Sequence, residues 1–320
     1  MIRAIGIMFI CCAAAFGRTP EGPLGPLRTP NDAQPVVALQ GGNIDVTAVA
    51  RGEVFLVAGD ARIALEPQWV EYPDGVRAQC AIPLSTAPGA YALEWSSSDE
   101  TDVTNRAVYV IEDHAESYTF ACIDAVALAG DEDSVANTLQ TVTDASCRFA
   151  FVFASGESAQ MVEALRALEA WPIPTYFVVS TAPPDAALWY GEPNLMFRYG
   201  PDAYFLLDSG KRGLGDALGY IASRYAQLRR ETRSARWSVA ILSNLDNRMA
   251  MRNTMTFFVD EPLHAVITNA PAAENIHWIG WHEPIPVHAP KKDGVRIFSA
   301  ALKGISPRTA TRILPTGVAR

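Results

Sequence analysis

Histidine and cysteine are scarce in this 320-residue chain, five of each, and what the sequence lacks excludes several chemistries at once. No Cys-x-x-Cys pair occurs, so neither a zinc knuckle nor a thioredoxin-type redox site is supported. The glycines Gly210, Gly213 and Gly215 are not followed by the Gly-Lys-Ser/Thr ending that a P-loop needs. Ser155, in Ala154-Ser155-Gly156, sits between a strand and a helix but lacks the flanking glycine of a nucleophile elbow, and no histidine stands in a supporting context for a triad. Basic charge is short as well. The formal net charge is −9, and the runs Arg229-Arg230 and Lys291-Lys292 are too brief to form the basic face by which nucleic acid releases its counterions. Beyond the N-terminus no apolar run is long enough to span a bilayer, which takes about 20 residues, so no transmembrane segment is expected in the mature chain. There is no internal repeat.

What is present is enough apolar material, 49% of residues, for two ordinary domains. The chain begins with one basic residue, Arg3, and an uncharged stretch Ala4–Gly17 that ends in small residues. That layout predicts a signal peptide over residues 1–17 and an extracytoplasmic location, periplasmic or secreted. Cys11 and Cys12 admit a lipoprotein alternative, which Phe9 and Ile10 fit poorly. Of the cysteines beyond the leader, Cys80, Cys122 and Cys147, at least one must be free. A bridge between Cys122 and Cys147 and a set of buried thiols acting as small hydrophobes are both open readings.

Residues 18–35 are rich in proline and glycine and read as a linker. Residues 36–112 carry short β-rich runs, Ile44–Val49, Glu53–Val57, Val76–Ile82, Ala90–Trp95 and Ala107–Val110, separated by turn residues. This spacing predicts a β-sandwich of immunoglobulin-like type. From Tyr118 the texture alternates: strands at Tyr118–Asp124, Phe149–Phe153, Thr175–Val179, Ala203–Leu207, Ser238–Leu242 and Ala265–Thr268, with helical stripes between them. Val135, Leu139 and Val142 form one stripe, capped by Asp133 or Ser134. Met161, Val162, Leu165 and Leu168 form a second, and Leu214, Leu218, Ile221, Tyr225 and Leu228 a third, with a further helix-like stretch at Met251–Phe258. The pattern predicts a layered α/β domain over residues 115–320.

In open α/β sheets function collects at the carboxyl ends of the strands. Here those ends read Asp124-Ala125-Val126, then Ala154-Ser155-Gly156-Glu157, Val179-Ser180-Thr181-Ala182-Pro183, Ser243-Asn244 and Asn269-Ala270-Pro271-Ala272. With the stretch from Tyr199-Gly200-Pro201 to Leu207-Asp208-Ser209, their order resembles the calcineurin-like metallophosphoesterases. Residues 36–112 resemble the sandwich domain that precedes the catalytic domain in some secreted members. The resemblance implies a four-layered αββα domain and, in an active member, two divalent metal ions, Mn, Fe or Zn. It also shows the ligand positions degenerate. Asp124 survives from D-x-H, with Val126 at the histidine. Gly156 falls where the bridging aspartate belongs. Thr181 and Ala182 replace the asparagine and histidine of G-N-H, and Ala270 and Ala272 replace both histidines of G-H-x-H. Alanine and valine have no side-chain lone pair, and Asp124, even with Asn244 or Asn269, is too poor a set to hold two ions about 3.5–4 Å apart.

Two other clusters carry weaker chemistry. His277, His282 and His288 lie in a Trp/Pro-rich segment whose spacing puts no three imidazoles on one helical face, and Pro284 and Pro286 disturb an extended one. Asp131, Glu132 and Asp133 read as solvated charge at a helix start, favoured by its dipole, with weak calcium binding as the alternative. The expectation is therefore a pseudoenzyme, with no catalytic residues and Asp124 as the lone metal-ligand remnant, that binds an envelope protein or a glycan. The rivals are an active phosphoesterase with a shifted site drawing on Asp124, Glu157 and His282/His288, and a purely structural envelope protein.

Overall fold

Alternation of apolar and polar residues demands sheets with one buried face, and this is what residues 24–112 form. The architecture is that of a computed structural model, which describes residues 24–154, 158–169, 171–179, 194–207, 226–242, 263–268, 275–276, 285–288 and 294–308. The chain divides into two units, Met1–Glu112 and Asp113–Arg320.

In the first unit nine strands run in order: β1 (Leu27–Thr29), β2 (Val36–Leu39), β3 (Asn43–Ala48), β4 (Glu53–Ala58), β5 (Ala61–Leu65), β6 (Gln68–Tyr72), β7 (Gly75–Ala81), β8 (Gly89–Ser96) and β9 (Thr101–Ile111). They make two sheets, β1-β3-β7-β6 and β2-β9-β8-β4-β5. The sheets share one apolar core, to which Ile44 and Val46 of β3, Ala78 and Cys80 of β7, Val54 and Leu56 of β4, and Tyr91, Leu93 and Trp95 of β8 contribute. This is β-sandwich packing. Gly52 is required beside the core, because any side chain there would run into the Trp95 indole and the Ser96 carbonyl. The expected linker is folded from residue 24 onward: Leu27 is fully buried, its N–H donates to Asp102 Oδ2 at 2.9 Å, and β1 pairs with β3. Earlier residues, including the expected leader with Cys11 and Cys12, lie outside the described set.

The second unit opens with β10 (Tyr118–Asp124), a 3-10 turn (Ala125–Leu128), α1 (Glu132–Asp144), β11 (Cys147–Ala154), α2 (Ser158–Ala167) and β12 (Thr175–Val179). The hairpin β13 (Leu195–Tyr199) and β14 (Asp202–Leu207) follows, then β15 (Ser238–Leu242), β16 (Ala265–Thr268), β17 (Asn275–Ile276), β18 (Ile285–His288), β19 (Val295–Ala301) and β20 (Gly304–Pro307). Residues 226–234 are helical. One sheet has the order β12-β11-β10-β19-β20, the other β13-β14-β15-β16-β18-β17. Their facing sides are aromatic: Phe120 meets Tyr204 at 5.6 Å between ring centroids, Phe149 meets Tyr204 at 5.1 Å, and Tyr176 stacks on Phe197 at 4.1 Å. The β13–β14 turn places Gly200 at a φ of +57°, a conformation that glycine adopts without penalty. On α1, Val142 is buried while Val135 and Leu139 are half-buried. The cap is Asp131, whose Oδ1 accepts from the Ser134 N–H at 2.9 Å, two residues ahead of the earliest cap expected. That backbone hydrogen bond holds the Asp131 carboxyl below its ordinary range.

The four-layered αββα arrangement expected of residues 115–320 is corrected by this architecture. Strands take 53% of the described residues and helix 16%, in four sheets, a balance that fits β-sandwich packing. The alternation misled because β13, β19 and β20 were not anticipated, while most of the third stripe and all of Met251–Phe258 lie outside the described residues.

Candidate functional site

The two sheets of the second unit have a common polarity, and one contact shows it. Tyr118 at the start of β10 donates its hydroxyl to Asp202 Oδ2 at the start of β14, at 2.7 Å. Strands β10, β11 and β12 are parallel, as are β14, β15, β16 and β18. The carboxyl ends of both sets therefore lie together, opposite Tyr118 and Asp202.

At the amino ends a cluster of polar groups is matched around Asp202. Arg236 grips Asp202 with two bonds, Nε to Oδ1 at 2.9 Å and a terminal nitrogen to Oδ2 at 2.6 Å, and its other terminal nitrogen donates to the Glu116 carbonyl at 2.6 Å. The Tyr118 and Tyr204 hydroxyls are 2.6 Å apart. Since the Tyr118 proton goes to Asp202, Tyr204 is the donor in that pair. Burial, and the carboxylate beside them, push both phenols far above their ordinary range. His264 Nδ1 accepts from the Ser238 N–H at 3.0 Å, and Trp237 Nε1 donates to the Ala301 carbonyl at 2.8 Å.

The carboxyl ends are different. Asp124 closes β10, but its Oδ1 accepts from the Val126 N–H at 3.1 Å and so caps the 3-10 turn. Val126, where the resemblance expected a histidine, is 39% exposed. Strand alternation puts Asp124, Cys122 and Phe120 on the face toward the other sheet. Arg296 stands opposite Cys122 in register, two residues from Phe298 on that same face. Facing them is His288, which packs its ring 5.5 Å from Phe298 and whose buried Nε2 has no hydrogen-bond partner. Burial, followed by the Arg296 charge, lowers the His288 pKa. The fully buried Thr268 also has an unpartnered hydroxyl. It does not join the group, because its neighbour Ile267 pairs with His288 and Thr268 itself faces away from the other sheet.

Of the residues singled out in the sequence, the structure places Asp124 and His288 on the facing sides of the two sheets, each at the carboxyl end of its strand. Ser155, Gly156, Glu157, Thr181, Ala182, Asn244, Asn269, Ala270, Ala272, His277 and His282 lie outside the described residues. Arg296 was missed, although the alternation Val295-Arg296-Ile297-Phe298 places a guanidinium on a strand's buried face and was a readable signal. Among the described residues no three of His, Cys, Asp and Glu converge as metal ligands. One carboxylate with an oxygen engaged by a backbone N–H, beside an alkyl side chain, does not fit a two-metal centre. Cys80, Cys122 and Cys147 are free and buried. Burial raises all three thiols, Cys80 and Cys147 to about 11, which makes them inert packing groups.

A shallow hollow of about 550 Å³ lies on the surface along residues 226–234, lined by Ala226, Arg229, Arg230, Arg233 and Ser234. Glu231 lies beside it and pairs with Arg198 at 3.0 Å and Arg230 at 3.5 Å, so its charge is partly balanced. No helix among the described residues is long and apolar enough to cross a membrane.

No protein-family model matches the chain, and no curated protein matches it. Among solved structures, a mixed-linkage glucan utilization protein of Bacteroides ovatus, SGBP-B bound to a heptasaccharide, is similar over 28% of this chain and 22% of its own, at 16% identity and a TM-score of 0.20. An amylomaltase from Corynebacterium glutamicum is similar over 42% of this chain and 22% of its own, at 14% identity and a TM-score of 0.22. The titin M10–obscurin-like 1 immunoglobulin complex is similar over 25% of this chain and 89% of its own, at 18% identity and a TM-score of 0.18. The first two are thus matched over about a fifth of their length. None of the three is a metallophosphoesterase.

Proposed function

We propose that this protein is an extracytoplasmic pseudoenzyme, without the ligands for two-metal hydrolysis, that engages a protein or glycan of the cell envelope. The observation that carries the reading is the fate of Asp124. The residue that the resemblance left as a lone metal-ligand remnant spends an oxygen on the Val126 N–H, and no second donor stands at Val126. The sequence adds Ala182, Ala270 and Ala272 at three further ligand positions.

Elemental analysis of the full chain, with calorimetric titration of Mn²⁺ and Zn²⁺, tests this. No stoichiometric metal is expected, and chelation with EDTA leaves the melting temperature unchanged, since a ligand bound only by the native state raises it by mass action. Uptake near two ions per chain that disappears in Asp124→Ala, together with a phosphoesterase rate lost in the same variant, replaces this reading with the active enzyme. The placement of Asp124 and His288 on facing sides at the carboxyl ends of their strands is the observation that favours that alternative.

A further inference from the structure

We propose that the carboxyl-end mouth between the two sheets of the second unit binds a carboxylate group, held by Arg296 and by His288 Nε2. The inference rests on the binding reading above and names the chemistry of what is bound. Arg296 is half-buried, and no hydrogen bond or ion pair engages its guanidinium among the described residues. A buried imidazole nitrogen without a partner stands across from it. Burying either group unmatched is unfavourable. Among the described residues the carboxylate on this face is Asp124, and one of its oxygens accepts from the Val126 N–H.

The acceptor that satisfies both donors has two oxygens in a plane, one for the guanidinium fork and one for the imidazole N–H. A carboxylate fits better than a phosphate dianion on two grounds. The surrounding wall is aromatic, from Phe298 and Phe120, and disfavours a second uncompensated charge. Asp124, further out on the same face, repels a dianion more than a monoanion. Carboxylates reach an envelope protein from two sources, the uronic acids of glycans and the acidic side chains or C-termini of peptides.

Calorimetric titration of the full chain with glucuronate, N-acetylglutamate, glucose and inorganic phosphate, each in a carboxylate-free buffer, tests the proposal. Glucuronate or N-acetylglutamate is expected to bind one-to-one, and the tighter of the two identifies the source. Glucose is expected not to bind. Arg296→Gln is expected to weaken carboxylate binding by roughly tenfold or more, the size of a lost charge-assisted hydrogen bond, and Arg296→Lys by less. His288→Asn, read in parallel with its melting curve, separates a lost donor from a lost fold. Carboxylate affinity unchanged in Arg296→Gln overturns the proposal, as does tighter binding of phosphate than of either carboxylate, or no carboxylate binding at all. None of these outcomes alters the metal titration, so the two readings fail independently.

Discussion

The two ends of the second unit's strands use the same kinds of side chain to opposite effect. At the amino ends a carboxylate, a guanidinium and two phenols close on one another. Asp202 is fully buried, yet both its oxygens are taken by Arg236 and Tyr118. At the carboxyl ends a guanidinium and an imidazole lie on facing sheets with no hydrogen bond or ion pair to either among the described residues, and Asp124 gives an oxygen to the Val126 N–H. A satisfied buried network rigidifies and specifies a fold, while an unsatisfied one is where a ligand has something to offer. The contrast identifies the first end as the clamp that holds sheet to sheet and the second as the place to look for binding.

The largest effect that sharpens this comparison is Asp202→Ala. It leaves Arg236, with a side chain 17% exposed, without its partner, and a loss of about 3–5 kcal/mol of unfolding free energy is expected by urea denaturation. A loss below about 1 kcal/mol, the size of an exposed pair, breaks the idea of a clamp. Tyr118→Phe comes next at about 1–2 kcal/mol, because it removes one bond to the carboxylate and the acceptor for Tyr204. A smaller change follows from pH. Burial lowers His114, His264 and His288 from the ordinary 6.5, so the unfolded chain takes up protons that the native chain refuses. Their contribution is intact above 6.5 and is lost as pH falls from there toward the lowered native values. Denaturation midpoints at pH 7.5 and 5.5 should fall in that order, and the difference should shrink in His264→Asn. The smallest effect separates the ends by sign. Thr232→Val removes the hydroxyl bond to the Leu228 carbonyl at 2.7 Å and should destabilise by about 1 kcal/mol. Thr268→Val replaces a buried hydroxyl that has no partner, and should be neutral or slightly stabilising.

How far the sequence revealed this contrast depends on which residues carry it. Strands β10, β12, β15 and β16 were readable to the residue, because each is an apolar run bounded by turn or charged residues. β19 was not, since Val295–Ala301 follows a segment of proline, lysine and glycine that reads as loop. Without β19 the sheet containing β10 has no antiparallel neighbour and Arg296 has no face. Asp124 was legible as a candidate from its place at a strand end, but its use as a cap was not. The same side chain that ligates a metal also closes a turn, and only the Val126 N–H decides between them. The clamp was also hidden. Asp202 and Arg236 lie far apart in sequence and meet through the pairing of β14 with β15, which no local pattern encodes. The αββα expectation failed for a related reason: periodicity reports the helices and strands a chain can form, whereas the sheet count depends on pairings between distant segments.

The place of β19 also has a consequence in time. β10 begins at Tyr118, and the strand that covers its open edge begins only at Val295. While the chain is being made, the first strand of this unit waits with unpaired backbone groups until nearly all of the remaining residues have emerged. Non-local closure of this kind is slow, and an open edge is a template for pairing with other chains. The first unit completes its sheets by Ile111 and has no such wait. A nascent chain halted between the two strands is therefore the species most in need of a chaperone.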